Sequence, residues 1–513
     1  MELFKRENYL SKIRGFYHDD EVIKVITGVR RCGKSCLMKT IRQEIEDSGV
    51  DPANILYLDL DKRGLRSVKT KSQLEGLIDP IAEAPGRKYV FVDEIQNVKG
   101  FEEVINGFRT DGDFSIFITG SNSYLLSGEL ATKLTGRYIE FEMQTLTFAE
   151  YCEMKQFLGK RVLPDLTREL DAYILEGGFP RALYYDSMQD KRTYVQSVVS
   201  EIIEKDIRRR VRITDLALFT QIQNYIINNF GATTSLTNIL KDLEKQGVTL
   251  KRETLSRYLR ILEDAKVIRK CTRFDMKSRK SLRGEQKYYL ADLSFYFALN
   301  TDNQINYGPV LENIVYSYAR SKDYSVSVGR IGKLECDFIM RDHDMGYAYV
   351  QVSMTIASSK ETENREYAPL EQQKDNYPKF VLTRNDPIQR RNGIYHANIA
   401  DFMSMGRGFT DSLYVDPPEE TPYGYDYGID MHRAIECPNC HFVQQNIDLS
   451  EDVVDVTAGE DNDTTMGSDI VYNFNIDRLP CPECGLDLRV YGYIREYPAG
   501  AYDSEYLKVL PVR

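Results

Sequence analysis

The spacing of apolar positions changes period along the chain, and each change predicts an element. Val22, Ile23, Val25 and Ile26 form a short β-rich run, as a buried parallel strand requires. Leu37, Met38, Ile41 and Ile45 then fall on one helical face, which Gly49 is placed to stop. Tyr89–Val92 and the start of "FSIFITGSNS" (114–123) predict two more strands. Farther on, Leu255, Leu259 and Leu262 stand at i, i+4 and i+7 and predict a second amphipathic helix. The run "KVIRKCTRF" and the stretch "KYYLAD" predict strands on either side of a loop. "LENIVYSYAR" (311–320) reads as a helix, and "KLECDFIM" and "YAYVQVSMT" (347–355) as strands.

The first strand and helix enclose Gly28-Val29-Arg30-Arg31-Cys32-Gly33-Lys34-Ser35, which fits GxxxxGK[ST], and Cys36 follows. Gly28 and Gly33 let backbone N–H groups approach phosphates at a helix N-terminus. Lys34 brings a mobile positive charge to the β/γ-phosphates, and the Ser35 hydroxyl is a Mg2+ ligand. The loop from Gly28 to Cys36 is therefore the candidate ATP site. Asp93, at the C-terminal edge of the second strand, suits the shell of the same Mg2+. Glu94 beside it is placed to polarise an attacking water. Asn122 or Ser121 is a candidate sensor of the γ-phosphate. Arg137, just before the run "YIEFE", is a candidate arginine finger in cis or from a neighbouring copy, with a structural ion pair as the other reading.

GVRRxGKS, then VDEIQ, then TGSNSxLLS with LxGR resembles the prokaryotic AAA-type ATPases whose C-terminal half is a domain of unknown function. The resemblance continues through "LEGGFPRAL" (175–183), "EKDIRRR" (204–210), "LENIVYSYAR" and "ECDFIM" (335–340), covering roughly residues 5–403. It implies a parallel-sheet ATPase core and leaves the biological role open.

Charge singles out one module. Residues 411–513 carry a net −15, which leaves +4 for the first 410 and matches the −11 of the whole chain. Within Lys251–Lys287, 13 Lys/Arg face 5 Asp/Glu, a local +8. Burying Leu255, Leu259 and Leu262 leaves Arg252, Ser256, Arg257 and Arg260 outward. Lys277, Arg279 and Lys280 lie in the loop between the strands that follow. Helix, turn, helix and basic hairpin form a winged-helix pattern, and its outward charges suit phosphates of duplex DNA. The other reading is a protein-docking module with solvated charges.

Residues 308–403 carry Glu312 on a helix, and Asp337 and Gln351 on strands. A helical Glu, a strand Asp and (Glu/Gln)-x-Lys are how restriction-endonuclease-like folds gather metal ligands, and the family is similar to that fold. Here Ser353 stands where the lysine belongs. Serine carries no charge to stabilise hydroxide, so the site is expected to be degenerate unless Lys333 or Lys360 substitutes.

Of nine cysteines, four form Cys437-Pro-Asn-Cys440 and Cys481-Pro-Glu-Cys484. Two such turns complete a tetrahedral Zn2+ site and resemble a zinc ribbon. The forty residues between them predict an insertion, with the acidic "SEDVVDVTAGEDNDTTMGSD" looping out, and His441 is a competing ligand. The acidic tail suits a protein partner better than phosphate. The other five cysteines show no pairing pattern.

The expected class is α/β. A P-loop core on a parallel sheet (1–145) precedes a helical region (146–230) and a winged helix (231–300). A restriction-endonuclease-like domain (301–405), a linker (406–430) and a zinc-ribbon-like tail (431–513) follow. No run of 18 apolar residues exists and the start lacks a signal peptide's apolar stretch, so no membrane partner and a cytoplasmic location are expected. Two functions fit: a DNA-associated Mg-ATPase, and a nucleotide-gated protein-binding switch with slow turnover. An ATP-regulated nuclease is weakened by Ser353. A homo-oligomer follows only if Arg137 acts in trans.

Overall fold

The computed structural model describes residues 3–120, 134, 136–208, 213, 215–276, 278, 280–300, 306–344, 346–389, 391–411, 429–459, 469–496 and 502–511. It divides into two units, Met1–Asp411 and Ser412–Arg513. Among the described residues, no helix is long and apolar enough to cross a membrane.

The first unit opens on five strands, β1 (Ile23–Gly28), β2 (Ile55–Asp59), β3 (Lys88–Asp93), β4 (Phe114–Thr119) and β5 (Tyr138–Met143). They pair in parallel in the order β2-β3-β4-β1-β5. β1, β3 and β4 are buried throughout, which is why their sequences are nearly continuous apolar runs. One face packs on the helices Lys71–Ala82 and Phe101–Asp111 through Leu74, Ile78, Phe101 and Ile105. Leu37, Met38, Ile41 and Ile45 are the buried side of the helix Lys34–Asp47, as their spacing predicts. Lys24 is the polar intruder in β1. Its ammonium donates to the carbonyls of Asp19 (2.5 Å) and Val22 (3.2 Å) and to Ser115 Oγ (2.9 Å), and burial pushes its pKa down to about 7.

The helices Phe148–Phe157, Leu166–Glu176 and Met188–Glu201 follow, the last running into a π-helical turn, Ile202–Arg208. Next come Leu216–Asn228, Leu236–Lys245 and Arg252–Asp264, then the antiparallel hairpin β6 (Ile268–Asp275) and β7 (Lys280–Leu290). A bridge between Thr234 and Gln286 closes this group. The sequence places a domain boundary after the hairpin. In the structure β6 also pairs in parallel with β8 (Ser325–Ile331), so the hairpin extends the downstream sheet. β9 (Leu334–Arg341), β10 (Tyr347–Ser353), β11 (Lys379–Thr383) and β12 (Tyr395–Asn398) complete seven strands in the order β12-β11-β10-β9-β8-β6-β7.

The second unit is all β among its described residues, apart from one 3-10 turn. β13 (His432–Glu436) and β14 (Val443–Asp448) form a hairpin, while β15 (Val453–Gly459), β16 (Asp469–Pro480), β17 (Asp487–Glu496) and β18 (Tyr502–Pro511) form an antiparallel meander. The acidic insertion is therefore not all loop. Its β-branched Val453, Val454 and Val456 enter β15, which pairs with β16.

Candidate functional site

β1 ends at Gly28, where a Cβ would stand 2.4 Å from the Met143 carbonyl oxygen and 2.8 Å from Cys32 Sγ. With φ at +142°, only glycine fits this turn. Gly33 (φ +115°) opens the helix Lys34–Asp47, whose first turn, including Ser35, lines a cavity of about 630 Å3. Unpaired N–H groups and the helix dipole make such an end an anion site. The Lys34 ammonium donates to the carbonyls of Gly28 (2.9 Å) and Val29 (3.2 Å) and so braces the loop from inside. Val29 and Cys32 are buried, while Cys36 reaches the cavity wall. Arg6 supports the loop from below, donating to the Cys32 carbonyl (3.1 Å) and pairing bidentately with Glu150 (2.6 and 3.0 Å).

Both acids sit at the end of β3. Asp93 is buried, accepting from the Thr119 hydroxyl of β4 and from Tyr57 OH (3.3 Å). Thr119 Oγ1 in turn accepts the Glu94 N–H (3.2 Å), so one hydroxyl sets the positions of both acids. Glu94 lies in the left-handed region (φ +57°), and its carboxylate accepts from Gln96. Burial pushes the Glu94 carboxyl up, and Lys34 and Arg30 draw it partly back.

The far wall comes from the helical region. Arg30 pairs bidentately with Asp206 of the π-helical turn (2.8 and 3.0 Å), and Arg31 with Glu201 (3.1 Å). The Arg181 guanidinium lies 4.5 Å from the Tyr184 ring centroid, and Tyr185 and Tyr194 continue an aromatic wall. Sequence patterns mark neither Asp206 nor Thr119. A carboxylate 176 residues from its arginine has no local signature, and Thr119 is one more polar residue at a strand end.

Arg137 is at the other end of the sheet. Its carbonyl accepts from the Ile23 N–H (2.9 Å) and its guanidinium donates to Asn106 (3.2 Å). Gly28 lies five residues along β1, about 17 Å away at 3.3 Å per residue. The cis-finger expectation is thereby corrected, because a parallel strand following Arg137 puts it at the edge opposite the phosphate loop. Asn122 and Ser121 lie outside the described residues.

In the basic module Leu255, Leu259 and Leu262 are buried, and Arg252, Ser256, Arg257 and Arg260 are exposed, as the spacing predicts. Arg252, Arg260 and Lys270 line a groove of about 910 Å3 between this helix and the hairpin, along with Glu263 and Glu285. Lys277 and Arg279 lie outside the described residues, and Lys280 begins β7. Glu142 of β5 connects this module to the ATPase core through Lys266 (2.8 Å) and Arg269 (3.5 Å), and it also pairs with Arg320 of the helix Tyr307–Ser321 (3.3 Å). Burial works against its charge, but the three cations win and hold its pKa at about 2.

Glu312, Asp337 and Gln351 do come together, with a lysine the sequence does not suggest. Lys287 of β7 reaches Glu312 (2.9 Å), which also accepts from Tyr289 (2.7 Å). Lys333 is exposed at the β8–β9 turn and Lys360 pairs with Glu363, so neither substitutes. Asp337 accepts from the Val352 N–H (2.8 Å), and burial with Glu312 nearby raises its pKa well above the usual range. Gln351 donates to Glu366 (2.8 Å), and Ser353 only to the Thr355 carbonyl (3.2 Å).

Among the described residues, the group of three or more ligand-type side chains able to share one metal is Cys437, Cys440, Cys481 and Cys484. Their sulfurs lie within 4.8 Å of one another, with Cys437–Cys484 at 3.7 Å and Cys440–Cys481 at 3.5 Å. Tetrahedral Zn–S bonds of about 2.3 Å require sulfurs about 3.8 Å apart, so the set fits zinc. The two turns repeat each other: Cys437 and Cys481 each accept an N–H four residues on and donate to a carbonyl five residues on, all at 2.9 Å. His441 occupies the left-handed position that Gly485 fills in the second turn. Its ring contacts Glu436 (2.8 Å) and is not a ligand.

The model of the AAA domain matches residues 20–152, and that of a domain of unknown function (DUF8612) matches residues 167–305. An uncharacterized protein of Haemophilus influenzae is 34% identical over 384 residues, spanning 74% of this chain and 93% of the other. An uncharacterized protein of Methanocaldococcus jannaschii is 29% identical over 308 residues, 59% of this chain and 67% of the other. Among solved structures, the Walker-type ATPase PABY2304 of Pyrococcus abyssi aligns with 58% of this chain and 96% of its own at 16% identity. Its TM-score is 0.40. The phosphate loop, the paired acids and the Haemophilus relationship together establish that the chain belongs to the family of AAA-domain proteins carrying this second domain of unknown function.

Proposed function

We propose that the protein is a Mg-dependent ATPase that couples nucleotide state to a DNA-contacting basic module. The observation that carries this reading is the convergence on one cavity of the phosphate loop, Asp93, Glu94 and residues of the helical region. Ser35 and Asp93 are the residues to hold Mg2+, which supplies positive charge to the β/γ-phosphates when bound. Loop N–H groups and Lys34 hold the phosphates, and the tyrosine wall with Arg181 receives the flat base. Glu94 takes the proton of the attacking water, its carboxylate fixed by the left-handed turn and Gln96.

Two contacts support coupling. A γ-phosphate competes with Asp206 for Arg30, which loosens the loop from the π-helical turn. Met143 lies over Gly28, and its neighbour Glu142 grips the basic module through Lys266 and Arg269. Helix, helix and hairpin read as a winged helix, with Arg252, Arg257, Arg260 and Lys270 toward the phosphates of a duplex. In the tail, the four cysteines serve as a closed structural zinc site. Arg137 acts, if as a finger, on a second copy.

The test of the ATP site is turnover and nucleotide binding in Lys34→Ala and Glu94→Gln. Lys34→Ala loses both. Glu94→Gln keeps binding and loses about 10²–10⁴-fold in turnover, the range for a general base. Full turnover in Glu94→Gln removes Glu94 from that role. The Arg30–Asp206 and Arg31–Glu201 ties also suit a slow nucleotide-gated switch, and turnover indifferent to DNA favours it.

A further inference from the structure

The second unit carries a charge pattern that its net −14 conceals. Residues 412–513 hold six Lys/Arg, and three of them, Arg489, Arg495 and Lys508, fall on one face of the meander. Strand alternation decides the faces. Tyr472, Phe474, Ile476, Leu488, Val490 and Ile494 point inward to the core that contains Cys437 and Cys481. The odd positions of β17 and the even positions of β18 therefore point the other way.

On this outward face the register sets Tyr491 opposite Lys508, Tyr493 opposite Tyr506, Arg495 opposite Ser504 and Arg489 opposite Leu510. Asn473 and Asn475 of β16 stand beside Tyr493 and Tyr491. No carboxylate occupies any of these ten positions. The rings of Tyr493 and Tyr506 are stacked with centroids 6.2 Å apart, and both are exposed, at 37% and 49%. Arg489 and Lys508 lie 5.8 and 6.0 Å from the Tyr491 ring. Arg489 also meets Asp477 (3.5 Å) and Arg495 meets Asp503 (3.8 Å) at the rim, loose exposed pairs that a phosphate can displace. Gly492 lets the strands close here. A Cβ on its inner side would overlap the Tyr506 carbonyl, so β18 lies tightly on β17 and brings the two rings together.

We propose that this face of β16, β17 and β18 binds single-stranded DNA, with bases stacked on Tyr491, Tyr493 and Tyr506 and phosphates on Arg489, Arg495 and Lys508. Exposed aromatic rings interleaved with cations on an open sheet are what an unpaired strand needs, since every base has a flat face. Rings two residues apart on β17 are about 6.8 Å apart, room for one base on each. Asn473 offers its amide to a base edge, while Asn475 is engaged on the sheet, accepting from Arg489 (3.1 Å) and donating to Asp477 (2.9 Å). A duplex does not fit, because its bases are already stacked and the unit has no helix, among its described residues, to enter a groove. The surrounding acid repels long stretches of phosphate, so stacking supplies most of the affinity. DNA is chosen over RNA because the chain's basic module is read as a duplex-DNA surface; the geometry of the tail face itself does not depend on that reading.

The experiment is fluorescence anisotropy of fluorescein-labelled oligo-dT with the full chain, zinc content being measured for each variant. Tyr493→Ala and Tyr506→Ala each weaken binding by about five- to one-hundred-fold, the range of base–aromatic stacking. Tyr493→Phe and Tyr506→Phe bind as the wild type does, and Lys508→Glu weakens binding more at low salt than at high salt. The double variant Arg257→Glu, Arg260→Glu separates the two readings: an oligo-dT loss that it shows and the tyrosine variants lack places the strand on the winged helix and overturns this proposal, whereas unchanged duplex binding in it counts against the winged-helix reading alone. The proposal is overturned if both alanine variants keep their zinc and bind oligo-dT as tightly as the wild type. It is equally overturned if the wild type does not bind oligo-dT, if a duplex displaces it at equal concentration, or if oligo-U binds tighter.

Discussion

Replacing Glu142 by glutamine removes one charge from the junction of the ATPase core and the basic module. The carboxylate faces Lys266, Arg269 and Arg320 and is held at a pKa of about 2 against an ordinary 4.5. A depression of about 2.5 units at about 1.36 kcal/mol each corresponds to roughly 3 kcal/mol. Because the folded value is the lower one, that stability is complete above about pH 4.5 and is lost as pH falls toward 2. Linkage leaves roughly 1.5 kcal/mol at pH 3. Urea unfolding of the first unit should therefore show Glu142→Gln destabilised by about 3 kcal/mol at pH 7 and by about half as much at pH 3. Arg269 is only 7% exposed and is left without its carboxylate, which pushes the pH 7 loss upward. An equal loss at both pH values would show that packing, not charge, makes the junction, and no loss at all would remove Glu142 from it.

Gly28→Ala should abolish ATP binding and lower stability by roughly 1–3 kcal/mol, because the new Cβ meets the Met143 carbonyl at a φ alanine avoids; titration with a fluorescent ATP analogue beside a thermal melt checks both. The acidic limb of kcat/KM should lie above the range of an exposed carboxylate, since Glu94 must be ionised and burial raises its pKa. Activity thus rises with pH through that limb, and Arg30→Gln, which removes a cation favouring the carboxylate, moves the limb to higher pH. Removing metal with a chelator should unfold the second unit and leave the first intact, while the untreated protein carries one zinc per chain by elemental analysis.

Much of the ATP site is legible because its chemistry is local. GxxxxGK[ST] between a strand and a helix fixes the phosphate loop, and a strand ending in Asp93-Glu94 fixes the acids. The two C-x-x-C turns are legible for the same reason. What is hidden depends on strand direction and long-range pairing. Arg137 looks like a finger in one dimension, and only the parallel pairing of β5 with β1 shows it at the far edge. Lys287 joins Glu312 because β7 brings it there, whereas position 353 alone suggests a missing cation. Asp206 becomes part of the phosphate-loop wall through a π-helical turn that no periodicity announces. Composition predicts that the insertion loops out, yet its valines pair as β15.

The most direct test of the coupling is steady-state Mg-ATP hydrolysis by the full chain with and without duplex DNA, beside Lys34→Ala as the blank and the double variant Arg257→Glu, Arg260→Glu. Turnover that rises with duplex in the wild type, is absent in Lys34→Ala and no longer responds to duplex in the double variant is the predicted result. Turnover that the duplex leaves unchanged in the wild type would contradict it.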